Sequence, residues 1–234
     1  MAIRVVLVGA GNMGFAMLAG WLDAGILSAP EVAVVEPTDA LRDRAAARGV
    51  RACATAGEIA GEKPELVVLA VKPQVIREVA AAYRPFAEAG AAFLSVAAGV
   101  TVSALAEVLG ADAPIVRCMP NTPAAIGKGM MVTFAGPNVP AGAADLVARL
   151  LAASGEVASV PDEGLMDAVT AVSGSGPAYI FHFIEALTEA AKAVGLAPQT
   201  ATLLARQTVY GAASLAFESG EDAGRLREQV TSPN

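Results

Sequence analysis

The sequence has 234 residues, of which 55% are hydrophobic and 17% are charged, so it can bury a dense core and is not a disordered chain. Its net charge of −7 repels phosphate backbones and anionic lipid surfaces, which argues against nucleic-acid and membrane partners. The cysteines Cys53 and Cys118 show no CxxC spacing and no histidine cluster accompanies them, so we predict no metal site, no disulfide and a cytoplasmic location.

Residues 1–160 alternate apolar, β-branched runs with alanine-rich segments of helical composition. This alternation predicts an α/β domain with a parallel sheet of the Rossmann type, in which helices connect buried strands. We predict strands at 3–8, 31–35, 66–71, 92–96 and 115–118, with two more near 130–134 and 156–160. The predicted helices are 13–24, 40–48, 74–83, 102–109 and 141–153.

Residues 161–234 lack a strand pattern, and we predict helical segments at 163–172, 178–194, 198–218 and 221–230. The sequence therefore predicts two domains, a dinucleotide-binding domain over 1–160 and an all-helical domain over 161–234. The segments 178–194 and 198–218 carry more apolar residues than a small helical domain can bury alone, which predicts a homodimer.

A glycine-rich loop follows the first predicted strand and opens the first helix. In this context the GxGxxG pattern indicates a dinucleotide site, because the glycines permit a tight turn, close approach of a pyrophosphate and close packing of helix on strand. The loop comprises Gly9, Ala10, Gly11, Asn12, Met13 and Gly14.

The second strand ends in Glu36, the position from which an acidic side chain reaches the adenosine ribose. A carboxylate there repels the 2′-phosphate of NADPH and favours NADH. Arg42 and Arg44 follow on the next helix and could instead hold that phosphate, so the sequence leaves NADH and NADPH both open.

Further candidate residues follow three other predicted strands, at the edge where ligands bind in this architecture. Small residues there would let the flat nicotinamide lie against backbone, and the two prolines around Asn121 would make a rigid polar loop. The cofactor candidates are Ala70, Val71, Lys72 and Pro73 after one strand, and Val96, Ala97 and Ala98 after the next.

Five motifs stand in one order along the chain, namely GAGNMG, AVKP, SVAAGVT, RCMPNTP and VSGSGPAY. With them the sequence resembles pyrroline-5-carboxylate reductase over essentially its whole length, and MPNTP followed by DAVTAVSGSGPAY and REQVTSP is the specific part. The resemblance implies NADPH- or NADH-dependent reduction of the cyclic imine of pyrroline-5-carboxylate to L-proline, the last step of proline biosynthesis. It also implies a helical domain that dimerises and builds rings of dimers.

The resemblance places Gln229 near the nicotinamide, and Glu163, Asn121 and Ser232 near the substrate. Relatives continue past the TSP motif with a threonine-containing segment that holds the imine and the carboxylate. This sequence ends at Asn234, so the resemblance predicts a truncated chain whose catalytic segment lies beyond that residue.

Two alternatives remain open from the residues alone. A 3-hydroxyacid-type dehydrogenase shares the two-domain plan but needs a catalytic lysine soon after a glycine-rich turn, whereas Lys192 stands at the far end of its helix. A non-catalytic, dimeric dinucleotide-binding protein is the other alternative.

Overall fold

The computed structural model describes residues 2–231, and in this range the first 160 residues build one twisted sheet. Its strands are β1 (Val5–Val8), β2 (Val32–Val35), β3 (Arg51–Cys53), β4 (Leu66–Leu69), β5 (Ala92–Ser95), β6 (Ile115–Met119), β7 (Gly129–Ala135) and β8 (Gly155–Ser159). Their order across the sheet is β3-β2-β1-β4-β5-β6-β7-β8.

Helices cover both faces of the sheet, and each face has its own apolar cluster. Met17, Trp21 and Leu150 belong to one cluster, and Ile76 and Leu105 to the other. The helices up to residue 175 are α1 (Asn12–Asp23), α2 (Asp39–Ala46), α3 (Ile76–Ala81), α4 (Arg84–Glu88), α5 (Val102–Leu109), α6 (Ala141–Ala152) and α7 (Met166–Val169). Because helices bury both faces, strands β1, β2, β4 and β5 are buried at every position, as their continuous apolar runs predict.

The predicted parallel sheet is confirmed except at one pairing, since β7 runs antiparallel to β6 and β8 keeps the direction of β7. A parallel connection needs a crossover of a dozen or more residues, whereas a single turn of helix at Thr122–Ile126 joins these strands. β8 then pairs with β7 in parallel after the α6 crossover.

Local differences from the predicted elements have simple causes. The edge strand β3 was missed because its three residues include the exposed Arg51 and are too few to show a pattern. The predicted helix 74–83 is α3, and a separate helix, α4, follows with Pro85 in its first turn, where proline is tolerated. The predicted helix 163–172 begins as a 3-10 turn at Glu163–Leu165, continues as α7 and ends in one turn of π-helix at Thr170–Gly174.

The chain divides into two compact units between Ser175 and Gly176. The second unit is helical in its described part, as predicted, and its two long helices pack against each other. Its helices are α8 (Gly176–Ala193), α9 (Pro198–Ser219) and α10 (Ala223–Val230). The predicted domain boundary at residue 160 instead follows the last strand of the sheet, and it stays a prediction.

Candidate functional site

The glycine loop joins β1 to α1 at the point where the strand order reverses, between β1 and β4. Gly9 has a φ of +93°, and a Cβ there would lie 2.6 Å from the Ala70 carbonyl oxygen of the neighbouring strand end. A Cβ on Gly14 would collide with the Gly9 carbonyl oxygen. These two glycines therefore allow the turn and the close packing of α1 that the motif predicts.

Gly11 differs from the other two, because a Cβ there would meet no heavy atom within 4 Å. It is the N-cap of α1, and no side chain caps that helix end or places an acidic group in its first turn, within the described residues. The first amide groups of the helix therefore have no capping side chain, and the space beside Gly11 is open, which suits an anionic group such as a pyrophosphate. The loop fits a dinucleotide on these two observations.

A cleft of about 460 Å³ opens beside this loop, at the carboxyl edge of the sheet. It brings together residues that follow β1, β4, β5 and β6, and its side walls are mostly apolar. The predicted site residues that line it are Gly11, Asn12, Met13, Ala70, Val71, Lys72, Pro73, Val96, Ala97, Ala98 and Asn121. Gly9, Ala10 and Gly14 are buried within the loop itself. The roles of these residues stay predictions.

Glu36 lies at the end of β2 and is almost fully buried, with 6% of its surface exposed. One carboxylate oxygen accepts the backbone N–H of Ala10 at 2.8 Å, and the other accepts that of Thr38 at 2.9 Å. The carboxylate is therefore fixed directly beside the glycine loop.

The two arginines that follow on α2 are bound to backbone carbonyl groups. Arg42 donates to the carbonyl oxygens of Glu36 and Pro37, each at 3.0 Å, and pairs with Asp39. Arg44 donates to the Ala10 carbonyl oxygen at 2.6 Å, and its guanidinium carbon lies 4.0 Å from the centre of the Phe15 ring. Both side chains thus stabilise the loops around the cleft.

Glu163, predicted near the substrate, is held by two donors to one oxygen. Arg117 Nη1 donates to Glu163 Oε1 at 2.6 Å, and the backbone N–H of Val102 donates to the same oxygen at 2.7 Å. Sequence reasoning missed Arg117, although a charged residue in the middle of the apolar run of β6 was a signal that could have found it.

The other residues that the resemblance assigns to the site are Asn121, Ser232 and Gln229, and the described structure brings only Asn121 to the cleft. The Asn121 side chain is occupied by backbone groups, since Nδ2 donates to the Ser173 carbonyl oxygen at 3.0 Å and Oδ1 accepts the N–H of Met130 at 2.9 Å. This pattern points to a structural role for its amide. Ser232 lies outside the described residues, and Gln229 is an exposed residue of α10 in the second unit.

Four further residues line the cleft but were not among the predicted site residues, namely Met119, Pro120, Thr122 and Gly174. Three of them belong to the MPNTP motif. Gly174 ends the π-helical turn, and a Cβ there would collide with the Met119 side chain. The MPNTP and SGSGP motifs therefore meet at this wall of the cleft.

No group of three metal-ligating side chains occurs among residues 2–231, and no helix described there is long and apolar enough to cross a membrane. The hydroxyacid dehydrogenase alternative requires a lysine near the start of α8, whereas Lys192 lies near the end of that helix and pairs with Glu189. Burial raises the pKa of the Cys118 thiol, so this cysteine is not a reactive nucleophile.

Comparisons with known proteins agree with this geometry. Residues 163–234 match the family model for pyrroline-5-carboxylate reductase dimerisation, and residues 4–99 match that for NADP oxidoreductase, coenzyme F420-dependent. The pyrroline-5-carboxylate reductase of Pseudomonas aeruginosa is 37% identical over 99% of this chain and 84% of its own length.

Two solved structures extend the likeness to three dimensions. That of a pyrroline-5-carboxylate reductase from Coxiella burnetii has a TM-score of 0.91 at 34% identity, covering 100% of this chain and 86% of the other. That of the Plasmodium falciparum pyrroline carboxylate reductase with NADP bound has a TM-score of 0.86 at 27% identity, covering 99% and 85%.

Proposed function

The chain belongs to the pyrroline-5-carboxylate reductase family, and we propose that it reduces pyrroline-5-carboxylate to L-proline with a nicotinamide dinucleotide bound in the cleft beside the glycine loop. The observation that carries this proposal is the convergence of the glycine loop, the VKP turn, the VAA segment and the MPNTP loop on one cleft. These are the motifs on which the family resemblance rests, and the fold brings them to one edge of the sheet.

The cofactor is bound by backbone more than by side chains in this proposal. The amide groups at the start of α1 hold the pyrophosphate, and Glu36 accepts hydrogen bonds from the hydroxyl groups of the adenosine ribose. Residues 70–73 and 96–98 line the path toward the nicotinamide, where their small side chains allow close contact. NADH or NADPH supplies the hydride for the imine carbon when it is bound.

Residues near the substrate are assigned from the family resemblance together with their geometry. Glu163 keeps a carboxylate at the N-terminus of α5, and only one of its oxygens receives the bonds from Arg117 and Val102. Asn121 joins the MPNTP loop to the SGSGP turn, so it positions the wall of the cleft. The hydride chemistry requires this wall to orient the imine beside the nicotinamide.

The helical region supports an assembly of at least two chains. We place the domain boundary at residue 160, so that residues 161–234 form the dimerisation domain, and the family match over 163–234 supports this. Large apolar side chains are exposed on α8 and α9, including Phe183 at 56% and Leu203 at 65%. A homodimer would bury them, and a ring of such dimers is the larger assembly we propose. The unpaired cysteines support a cytoplasmic location.

One assay tests the proposed function directly. The purified protein, produced with any residues that its gene encodes after Asn234, is mixed with pyrroline-5-carboxylate and either NADH or NADPH, and both oxidation of the reduced cofactor and formation of proline are followed. We expect one proline per reduced cofactor consumed, and no reaction when either substrate is omitted. Binding of the cofactor without any proline formation would support the non-catalytic alternative instead.

A further inference from the structure

We propose that the fixed carboxylate of Glu36 makes this protein selective for NADH over NADPH. The inference rests on the proposed function, because it concerns the cofactor that the cleft is proposed to hold. It goes beyond that function by assigning the selectivity to one residue of this chain.

The first argument is that Glu36 cannot turn away from the cofactor. Both of its oxygens accept backbone N–H groups, from Ala10 and from Thr38, and 6% of the residue is exposed. Each carboxylate oxygen has a second acceptor position, so the ribose hydroxyl groups of NADH can still donate to it. In NADPH a phosphate replaces the hydrogen of the ribose 2′-hydroxyl group, so this position no longer donates a hydrogen bond to Glu36. The phosphate also brings its own negative charge close to the buried carboxylate.

The second argument is that no nearby cation is directed at that phosphate, within residues 2–231. Arg42 is engaged by two carbonyl oxygens and by Asp39. Arg44 is bound to the Ala10 carbonyl oxygen and stacked on Phe15, so its charge acts on the glycine loop. That charge favours the pyrophosphate, which NADH and NADPH share, and it does not distinguish between them.

The third argument is that a second carboxylate, that of Glu58, adds to the negative potential around the end of β2. Glu58 accepts hydrogen bonds from the backbone N–H groups of Thr55 and Ala54, and these bonds lower the pKa of its carboxyl group. This carboxylate stays ionised near neutral pH, and it is bound to residues that directly follow β3, the strand paired with β2. The end of β2 therefore has two carboxylates near it, Glu36 and Glu58, and one arginine, Arg42, whose charge is partly neutralised by Asp39.

The test begins with the unmodified chain and needs no variant. Titration calorimetry gives the Kd of NADH and of NADPH, and the fragments 5′-AMP and 2′,5′-ADP are compared as competitors of bound NADH. We expect NADH to bind about tenfold or more tightly than NADPH, and 5′-AMP to compete better than 2′,5′-ADP, because each pair differs by one phosphate. Equal affinities, or tighter binding of NADPH, overturn the proposal.

A matched pair of variants then assigns the effect to the residue. Glu36→Gln removes the charge and keeps an oxygen acceptor, so we expect the NADPH-to-NADH ratio of Kd values to fall toward one. Glu88→Gln removes a charge from α4, which precedes the amino end of β5, and the ratio should stay as in the unmodified chain. An unchanged ratio in Glu36→Gln overturns the assignment, and if that variant fails to fold, the fragment competition decides the proposal.

The proline-forming assay separates this inference from the function on which it rests. Proline formation with both cofactors and tighter binding of NADPH would contradict the selectivity alone. A chain that binds neither cofactor would contradict the proposed function and the selectivity together.

Discussion

Arg117 and Glu163 form a hydrogen-bonded ion pair of 2.6 Å that joins the sixth strand of the sheet to the turn before α7. The same Glu163 oxygen accepts the N–H of Val102, the first residue of α5. Because α5 follows the segment 96–98 that lines the cleft, this pair holds one wall of the cleft as well as a predicted substrate residue.

Replacement of Arg117 with leucine should destabilise the protein substantially. The Arg117 side chain is 7% exposed and that of Glu163 is 26% exposed, so the variant leaves a largely desolvated carboxylate without its cation. We expect a loss of about 2–4 kcal/mol in the free energy of unfolding. Urea unfolding at fixed protein concentration measures it.

Arg84→Leu is the matched control for this prediction. Arg84 pairs with Glu88 on α4, but both side chains are more than half exposed, so the loss should be about 0.5 kcal/mol or less. Similar losses of unfolding free energy in the two variants would show that burial does not increase the contribution of the Arg117–Glu163 pair to stability.

Gly11→Ala should weaken cofactor binding and leave the fold stable. Gly11 has φ −61° and ψ −169°, which alanine tolerates, and its added Cβ meets open space. We expect the Kd of NADH to rise about tenfold or more because the methyl group occupies the approach of the pyrophosphate, while the melting temperature changes little. Fluorescence titration and thermal unfolding provide the two values.

Gly14→Ala should instead destabilise the fold in the same experiments. Its Cβ would collide with the Gly9 carbonyl oxygen and would lie 3.2 Å from the Ala70 side chain, so the strand, loop and helix cannot keep their spacing. We expect a lower melting temperature even without cofactor. If Gly11→Ala were the less stable variant, the loop geometry described above would be wrong.

The fold was largely predictable because each buried strand is a continuous apolar run and each crossover has helical composition. The exceptions depend on partners distant in sequence. Arg51–Cys53 becomes a strand by pairing with β2 at the sheet edge, which three residues cannot indicate alone. The direction of β7 depends on the short turn at Thr122–Ile126, whose length became clear only from the structure.

The site was predictable where its geometry is local. The glycine loop and the strand ends converge because the carboxyl ends of parallel strands share one edge. The connections of Glu163 to Arg117 and of Asn121 to Ser173 span 46 and 52 residues, and no spacing pattern encodes such contacts. The same holds for the hydrogen bond from the Ala10 N–H to Glu36, which fixes the carboxylate that the sequence predicts near the ribose.

Glu31 should make folding sensitive to acid. The Ser28 hydroxyl and backbone N–H, followed by Arg4, lower the pKa of Glu31 from 4.5 to about 2 in the folded chain. A depressed folded-state pKa adds stability above the unfolded-state value, and this stability is lost as the pH falls from 4.5 toward 2. Glu31→Gln should therefore be less stable than the unmodified chain near neutral pH, and the difference should shrink through this window.

Urea midpoints across that pH range measure the difference, and Glu156→Gln serves as the control. Glu156 is exposed on β8, and its replacement should leave the acid dependence of the midpoint as it is in the unmodified chain. A difference between Glu31→Gln and the unmodified chain that stays constant with pH would contradict the assignment.

Both cysteines should resist thiol reagents in the folded protein. Cys53 and Cys118 are 3% and 2% exposed, and burial raises the pKa of the Cys118 thiol, so little thiolate is accessible. We expect a disulfide reagent to modify neither thiol in native conditions and both in denaturant. Rapid native modification of either cysteine would show that its strand opens to solvent.

Phe183→Glu should disrupt the assembly without unfolding the helical unit. Phe183 is 56% exposed, and it lies about 140° around α8 from the buried Thr188, so it is turned away from the inner side of its own unit. In a dimer formed through this unit, the residue would lie in a largely apolar interface, where a carboxylate is strongly unfavourable. We expect the unmodified chain to sediment at low micromolar concentration as a dimer or a multiple of it, Phe183→Leu to do the same, and Phe183→Glu to sediment as a folded species of smaller mass. A stable monomer in the unmodified chain, with normal cofactor binding, would contradict the proposed dimer, whereas an unchanged mass in Phe183→Glu would place the interface on another face of α8 or on α9.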